Sequence, residues 1–256
     1  MTNYGRVPPR LAIILGCGDV GSAVAVTLHR AGFAAVIADE ADPPWHRRGM
    51  AFTDAWYTGI ADLDGEGACF CASLKSVPSI LARRMIVATT WSWLGIAAAF
   101  EPSIMVDARA SRRRGHEILH APVPIVMDVD SEIQGAAGPG AACTIEARRY
   151  GRFATEHRIG DSVRAGEIVG AVANDAFEAP ARGVLLGLAA RGARIEPGDV
   201  IVEVDPARTK HACHGIEDAA KRTALRVLAE CRVRLGSSSR CNTSTAKSRS
   251  SVTHEE

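Results

Sequence analysis

The chain has 256 residues with a net charge of +1, and 47% of its residues are hydrophobic and 23% charged. This composition suits a globular protein with a sizeable core, and the low net charge argues against nucleic acid or an anionic membrane surface as a partner. The apolar runs 11–15 and 94–100 are too short to span a membrane, and the seven cysteines follow no secretory signal. We therefore expect a soluble, cytoplasmic protein with reduced thiols.

Residues 1–110 alternate short apolar runs with helical patterns, which predicts a Rossmann-like domain with a doubly wound parallel sheet. The first helix is indicated by Val20, Val24 and Leu28, which recur at helical spacing before Gly32. The other predicted helices are 77–84 and 92–100. The predicted strands are 10–15, 34–38, 68–74, 85–89 and 103–108.

Residues 111–158 form an irregular connector, and an internal repeat follows in residues 159–206. The segment 159–172 matches 191–204 at a constant offset of 32, so that Gly160 aligns with Gly192. Repeated glycine turns between short strands predict a small pseudo-twofold β-sandwich, similar to the barrel-sandwich domains of lipoyl and biotinyl carriers. No lysine lies between Ile159 and Asp205, so we expect no covalently attached lipoyl or biotin group.

Residues 207–236 are predicted to contain a C-terminal helix, because apolar residues recur at helical spacing from Ile216 to Cys231. Acidic residues in its first turn and Arg232 and Arg234 in its last turn suit the helix dipole, and Gly236 is the predicted end. The polar, serine-rich residues 237–256 are expected to be disordered.

The candidate cofactor site is the motif G-x-G-x-x-G formed by Gly16, Gly18 and Gly21, directly after a strand and at the start of a helix. In such a turn the first glycine permits the tight turn, the second lets pyrophosphate approach the backbone, and the third lets helix pack on strand. Asp39, after the second strand, is placed to accept hydrogen bonds from a ribose, which favours NAD over NADP. Asp19 is included among the candidates, although a carboxylate pointing inward would repel phosphate.

Two alternatives remain open at the glycine turn and its surroundings. The glycines could serve strand–helix packing alone, with no ligand. Arg47 and Arg48 could meet an anionic ligand at the carboxyl edge of the sheet, or they could belong to a solvated basic loop. His211, Cys213 and His214 lack a second cluster of ligands, so we predict no metal site, and no set of residues indicates a catalytic centre.

The ordered motifs of the chain resemble the accessory proteins of the selenium-dependent molybdenum hydroxylase system, which are related through their Rossmann domain to xanthine dehydrogenase accessory factors. The matching segments are 16–33, 46–59, 106–109, 138–140, 144–153, 159–169, 179–188 and 204–206. The resemblance adds Asp107, Gly138 and Gly140 to the cofactor-binding candidates. It implies a molybdenum hydroxylase as partner and adds the molybdenum cofactor to NAD and other nucleotides as candidate ligands.

The expected function is that of an accessory or maturation protein for a molybdenum hydroxylase, with a nucleotide or nucleotide-containing cofactor bound by the Rossmann domain. An NAD-dependent oxidoreductase is the first alternative, although a hydride-transfer enzyme also needs a positioned acid or base. A nucleotide-sensing interaction module without catalysis is the second. The sequence makes no prediction of oligomeric state.

Overall fold

The computed structural model describes residues 5, 7, 8, 10–109, 123–129 and 142–247, with side chains described as far as residue 236. Its architecture is α/β: a mixed seven-stranded sheet, two antiparallel four-stranded sheets and a C-terminal helix. Gly138 and Gly140 lie outside the described residues, as do residues 248–256 of the tail 237–256 that was predicted to be disordered, whereas residues 237–247 of that tail are helical. Within the described part of the chain, no helix is long and apolar enough to cross a membrane.

The seven-stranded sheet contains the strands expected in residues 1–110 and two more. In chain order its strands are β1 (Leu11–Leu15), β2 (Ala34–Ala38), β3 (Ile60–Leu63), β4 (Glu66–Phe70), β5 (Ile86–Thr89), β6 (Ile104–Asp107) and β7 (Ile125–Asp128). The spatial order is β3-β4-β5-β2-β1-β6-β7. All neighbours are parallel except β3 and β4, so the predicted parallel sheet is in fact mixed at one edge.

Helices cover both faces of this sheet. They are α1 (Asp19–Arg30), α2 (Ala55–Thr58), α3 (Val77–Ala82), α4 (Trp93–Phe100) and α5 (Asp218–Lys247), and short 3-10 turns lie at Arg48–Met50, Phe52–Asp54, Leu74–Ser76 and Lys210–Cys213. Because side chains alternate along a strand, Ala12 and Ile14 pack with α1 and α5, whereas Leu11 and Ile13 pack with α3 and α4.

The apolar face predicted for the C-terminal helix packs along α1. Its buried residues there are Ala220, Ala224, Val227, Leu228 and Cys231. The end predicted at Gly236 is not observed, since α5 continues to Lys247. A single glycine lowers helix stability by only about 1 kcal/mol and does not by itself end a helix.

The remaining strands form what we call the β module, residues 143–205. Its strands are β8 (Cys143–Glu146), β9 (Gly151–Ala154), β10 (Ser162–Val163), β11 (Ile168–Val172), β12 (Asp175–Glu178), β13 (Gly183–Leu188), β14 (Arg194–Ile195) and β15 (Val200–Asp205). Their order is β10-β13-β15-β8 in one sheet and β12-β11-β9-β14 in the other. β8 and β9 come from the segment predicted as a connector.

The internal repeat extends over all eight strands of the β module. Each of β8 to β11 begins exactly 32 residues before its counterpart among β12 to β15. The pairings repeat as well: Val163 lies opposite Gly183 where Ile195 lies opposite Gly151. Each copy therefore contributes strands to both sheets, and the two sheets share one hydrophobic core.

Candidate functional site

Two glycines of the turn after β1 are required by close backbone packing. Gly16 has a φ of +98°, and a Cβ atom on it would lie 2.8 Å from the carbonyl oxygen of Ala108. A Cβ atom on Gly21 would lie 2.0 Å from the carbonyl oxygen of Gly16. The turn lies where the strand order reverses between β1 and β6, which is the place where open α/β sheets bind ligands.

The second glycine of the motif, Gly18, faces the aromatic ring of Trp45. Three indole atoms, Cε2, Cδ2 and Cζ2, lie 3.0, 3.1 and 3.2 Å from the position that a Cβ atom on Gly18 would take. Gly18 is also the residue before α1, with an extended φ of −66° and ψ of −176°. The missing side chain at Gly18 therefore makes room for the indole of Trp45 in this structure.

Asp39, after β2, is hydrogen-bonded to the glycine turn itself. Its Oδ2 accepts the backbone N–H of Cys17 at 2.7 Å, and its Oδ1 accepts that of Glu40 at 2.8 Å. Its own N–H donates to the carbonyl of Thr89 at the end of β5. A carboxylate oxygen accepts more than one hydrogen bond, so this position remains compatible with contact to a ribose hydroxyl.

Asp19 lies at the first position of α1 and is buried, with 2% of its surface exposed. Its Oδ1 accepts the N–H of Val20 at 2.8 Å, and its Oδ2 lies 3.8 Å from Nη1 of Arg47. Burial raises the pKa of Asp19 to about 6, although the charge of Arg47 acts in the opposite direction. The carboxyl group is thus turned toward protein and faces Arg47.

Arg47 is buried in ion pairs that join three parts of the chain. Its Nε and Nη2 donate to the two carboxylate oxygens of Glu203 in β15, at 2.6 and 2.7 Å, and its Nη1 donates to Glu217 at 3.3 Å. Burial alone would raise the pKa of Glu203, but hydrogen bonds from His46 and Arg47 hold it at about 2. Sequence reasoning missed Glu203 because 156 residues separate it from Arg47.

Arg48 and His46 also contact the β module. Nε of Arg48 donates to the carbonyl of Leu188 at 2.8 Å, and Nη1 of Arg48 donates to Asp54. The carbonyl of His46 accepts the N–H of Leu188 at 2.7 Å. The imidazole ring of His46 lies against Gly187, since a Cβ atom on Gly187 would be 2.3 Å from the Cδ2 atom of His46. The segment 46–48 therefore connects the glycine turn to β13 and β15.

The remaining candidates lie at the same carboxyl edge or outside the described residues. Asp107, 4% exposed at the end of β6, accepts hydrogen bonds from Nε and Nη2 of Arg109, both at 3.0 Å. Gly138 and Gly140 belong to the residues that are not described. Trp91, two residues after β5 and 41% exposed, is a further aromatic group near this edge that the sequence analysis did not select.

Two open recesses lie apart from the glycine turn. One, of about 530 Å³, lies between the edge strands β8 and β12 of the β module, and the other, of about 440 Å³, lies beside the start of α5.

Among the described residues, no group of three or more His, Cys, Asp or Glu side chains is arranged to hold a metal ion. Burial raises the pKa of Cys17 well above its usual range, which keeps this thiol protonated.

The fold and the site define an α/β protein in which a glycine turn at a sheet switch point is joined by buried ion pairs to a twofold-repeated β module. No family model matches the chain. It is 24% identical over 230 residues to the uncharacterized protein YqeB of Escherichia coli (strain K12), an alignment that covers 77% of this chain and 42% of YqeB. The chain thus spans less than half the length of this curated relative.

Among solved structures, the chain is similar to the product-bound ectoine utilization protein EutE (DoeB) from Ruegeria pomeroyi. The alignment covers 78% of this chain and 86% of that one, with 11% sequence identity and a TM-score of 0.26. A similarity at this level carries no argument about fold or function.

Proposed function

We propose that the chain is an accessory protein whose Rossmann-like domain, residues 1–110, binds a nucleotide or a nucleotide-containing cofactor. The observation that carries the proposal is the position of the glycine turn: it joins β1 to α1 at the switch point beside β6, with Asp39 bonded to its backbone. The start of α1 would supply about half a positive charge and N–H groups other than that of Val20, which donates to Asp19.

The fit of a phosphate at this turn depends on Trp45. Its indole covers the side of Gly18 on which pyrophosphate approaches a turn of this kind. Arg47 faces Asp19 and is paired with Glu203, so carboxylates of the chain already balance its charge. The turn therefore fits a pyrophosphate when the indole is displaced.

The β module supports a docking role for the second half of the chain. Its repeat, with strands exchanged between two sheets, is the arrangement that we interpret as a lipoyl/biotinyl-like barrel-sandwich. The turn between β11 and β12, where carrier domains hold their lysine, consists here of the exposed Ala173 and Asn174. Neither side chain has an amine for acylation, so we propose no covalent lipoyl or biotin group.

The proposed partner is a molybdenum hydroxylase of the xanthine dehydrogenase type, and the molybdenum cofactor remains a candidate ligand beside NAD. The support is the resemblance of ordered segments, among them 46–59, which in the structure links the glycine turn to the β module. Cells that lack the protein should lose hydroxylase activity or cofactor content. Unchanged activity and cofactor content would contradict this role.

The binding proposal is tested by thermal unfolding of the purified protein with NAD, NADP, ATP, CTP and GTP separately. A ligand at 100 times its Kd stabilises a protein by about 2.7 kcal/mol. For a chain of this size that is an increase of about 5–10 °C in Tm. A selective shift supports the site, and the absence of a shift with every nucleotide would contradict nucleotide binding within this panel.

An NAD-dependent oxidoreductase is the second candidate, and Asp39 at the end of β2 is the observation that favours it. The measurement is the change in NADH absorbance at 340 nm with candidate substrates. Gly18→Val alone does not suffice as a control, because its side chain would collide with Trp45 whether or not a nucleotide binds. Two variants avoid that collision because both lack the indole: in Trp45→Ala the turn is open, and in Trp45→Ala/Gly18→Val the valine side chain blocks it.

A further inference from the structure

The indole of Trp45 occupies the space that the glycine turn leaves for a ligand. Its nearest atoms lie 3.0–3.2 Å from the position that a Cβ atom on Gly18 would take, which is closer than ordinary van der Waals contact. In a glycine turn of this type the second glycine lacks a side chain so that pyrophosphate can approach the backbone. Trp45 and a pyrophosphate therefore compete for one place.

Trp45 is half-buried, and the polar group of its indole ring has no partner in the described part of the chain. Its indole N–H is buried and has no acceptor among the described residues. A buried donor without an acceptor carries a free-energy cost that displacement into contact with water or a phosphate oxygen would relieve. The N–H group, unpaired within the described part of the chain, thus destabilises the packed position of the indole, which favours its displacement from Gly18.

The chain directly after Trp45 is fixed to the β module. The carbonyl of His46 accepts the N–H of Leu188 in β13 at 2.7 Å, and Arg47 is bonded through two nitrogens to Glu203 in β15. The ring of Trp45 also contacts the ring of His46, with 5.5 Å between the ring centroids, so a displacement of the indole changes the surroundings of His46 directly. The contact between His46 and Leu188 is the first one on the path to the β module.

We propose that Trp45 is a gate: its indole closes the glycine turn when no phosphate is bound, and phosphate binding displaces it and loosens the contact of residue 46 with β13. This inference rests on the proposed nucleotide site and adds its regulation. Occupancy of the turn is thereby transmitted to the β module, the part of the chain proposed to dock a partner.

The affinity test uses ADP and inorganic pyrophosphate as probes and isothermal titration calorimetry as the measurement. Trp45→Ala removes the gate, and its affinity for ADP should be about tenfold tighter than that of the wild-type protein, as expected when the open state is about one tenth populated. Trp56→Ala is the matched control, because the indole N–H of Trp56 is likewise buried without an acceptor among the described residues, but Trp56 packs against Phe70. Its affinity should equal that of the wild type.

The outcomes separate the gate from the site. If the wild type and Trp45→Ala bind ADP equally well, or if Trp45→Ala binds more weakly, the gate is wrong and the nucleotide site stands. If neither protein binds ADP or pyrophosphate, both proposals are wrong. Trp45→Phe, which keeps a smaller ring, replaces the alanine variant if that variant does not fold, and its affinity should exceed that of the wild type.

The transmission step is tested by amide hydrogen exchange of the wild-type protein with and without saturating ADP. The N–H of Leu188, bonded to His46, should lose protection when ADP is bound. The neighbouring N–H of Ala189 is bonded to Ile201 within the β module and should keep its protection. Equal protection of the Leu188 N–H in both states, with ADP demonstrably bound, would show that nucleotide binding does not loosen the contact between His46 and β13.

Discussion

At the scale of single residues, Asp39 is the group on which the choice between NAD and NADP depends. Asp39→Asn keeps an oxygen for the N–H of Cys17 but removes the negative charge that a 2′-phosphate would meet. We expect the ratio of the NAD and NADP affinities to fall about tenfold, which corresponds to about 1.4 kcal/mol. This is below the upper limit set by the repulsion between two like charges about 4 Å apart near a protein surface, which is about 4 kcal/mol.

The measurement is the Kd of both dinucleotides for each protein. Glu40→Gln is the matched control, because it removes the same charge from the exposed neighbouring residue. An unchanged ratio of affinities in Asp39→Asn would remove this role from Asp39.

Asp19 makes stability depend on pH in a direction opposite to that of most carboxyl groups. Its pKa is raised from 3.8 to about 6 by burial, so the folded state binds this proton more tightly than the unfolded state. The resulting stabilisation is complete below pH 3.8 and is lost as the pH rises through 6. The rise from 3.8 to about 6 corresponds to about 3 kcal/mol, with the opposing effects of Arg47 and the N–H of Val20 already included, and a substitution that also loses the contact with Arg47 gains less.

Asp19→Asn should therefore raise the free energy of unfolding by about 2 kcal/mol at pH 8 and have little effect at pH 4. Urea denaturation at both pH values measures the difference. An equal effect of the substitution at the two pH values would show that burial does not perturb this carboxyl group.

At the scale of elements, the packing of α5 on α1 depends on small side chains. Ala224 is completely buried between the helices, whereas its neighbour Leu225 is 51% exposed. Ala224→Leu should destabilise the protein by about 1–3 kcal/mol through overpacking. Leu225→Ala, on the opposite face, should change stability by less than about 0.5 kcal/mol. Thermal unfolding measures both, and similar effects of the two substitutions would contradict the described helix contact.

The elements with a strong periodic pattern were predictable from sequence, and the others lacked such a signal. β1, β2 and α1 follow from apolar runs and helical spacing before a glycine. β3 is a short, largely exposed edge strand, and β8 and β9 are only four residues long, which is too short for a recognisable alternation of apolar and polar residues. The repeat was found only where turn glycines recur, which left its first strands undetected.

The motif of the candidate site was predictable from sequence, but the side chains that surround it in the fold were not. The glycine spacing and Asp39 are local signals with known geometry. Trp45 over Gly18, and Arg47 paired with Glu203, are contacts between residues far apart in sequence, and no periodicity or spacing reports them. That Arg47 meets an anionic ligand stays a prediction, since the carboxylates that it contacts in the structure belong to the chain itself.

At the scale of the whole molecule, the pair formed by Arg47 and Glu203 couples the seven-stranded sheet to the β module. The pKa of Glu203 is lowered from 4.5 to about 2, so its contribution to stability is present above pH 4.5 and is lost as the pH falls toward 2. The shift of about 2.5 units corresponds to about 3 kcal/mol for this buried group.

We expect one cooperative unfolding transition at pH 7 and separate transitions of the two parts below pH 2, where Glu203 is protonated in the folded protein as well. All four tryptophans lie in residues 45–93, so their fluorescence follows the sheet, whereas far-ultraviolet circular dichroism follows both parts. Coincident curves at pH 7 that separate below pH 2 indicate lost coupling. Glu203→Gln removes the two shortest hydrogen bonds of Arg47 and leaves Glu217 and Asp19 near it. Because breaking a buried ion pair by removing one partner costs up to about 3–5 kcal/mol, this variant should separate the curves already at pH 7, and the exposed Glu146→Gln should not. Coincident curves for Glu203→Gln at pH 7 would show that other contacts, such as the hydrogen bond between His46 and Leu188, hold the two parts together without this pair.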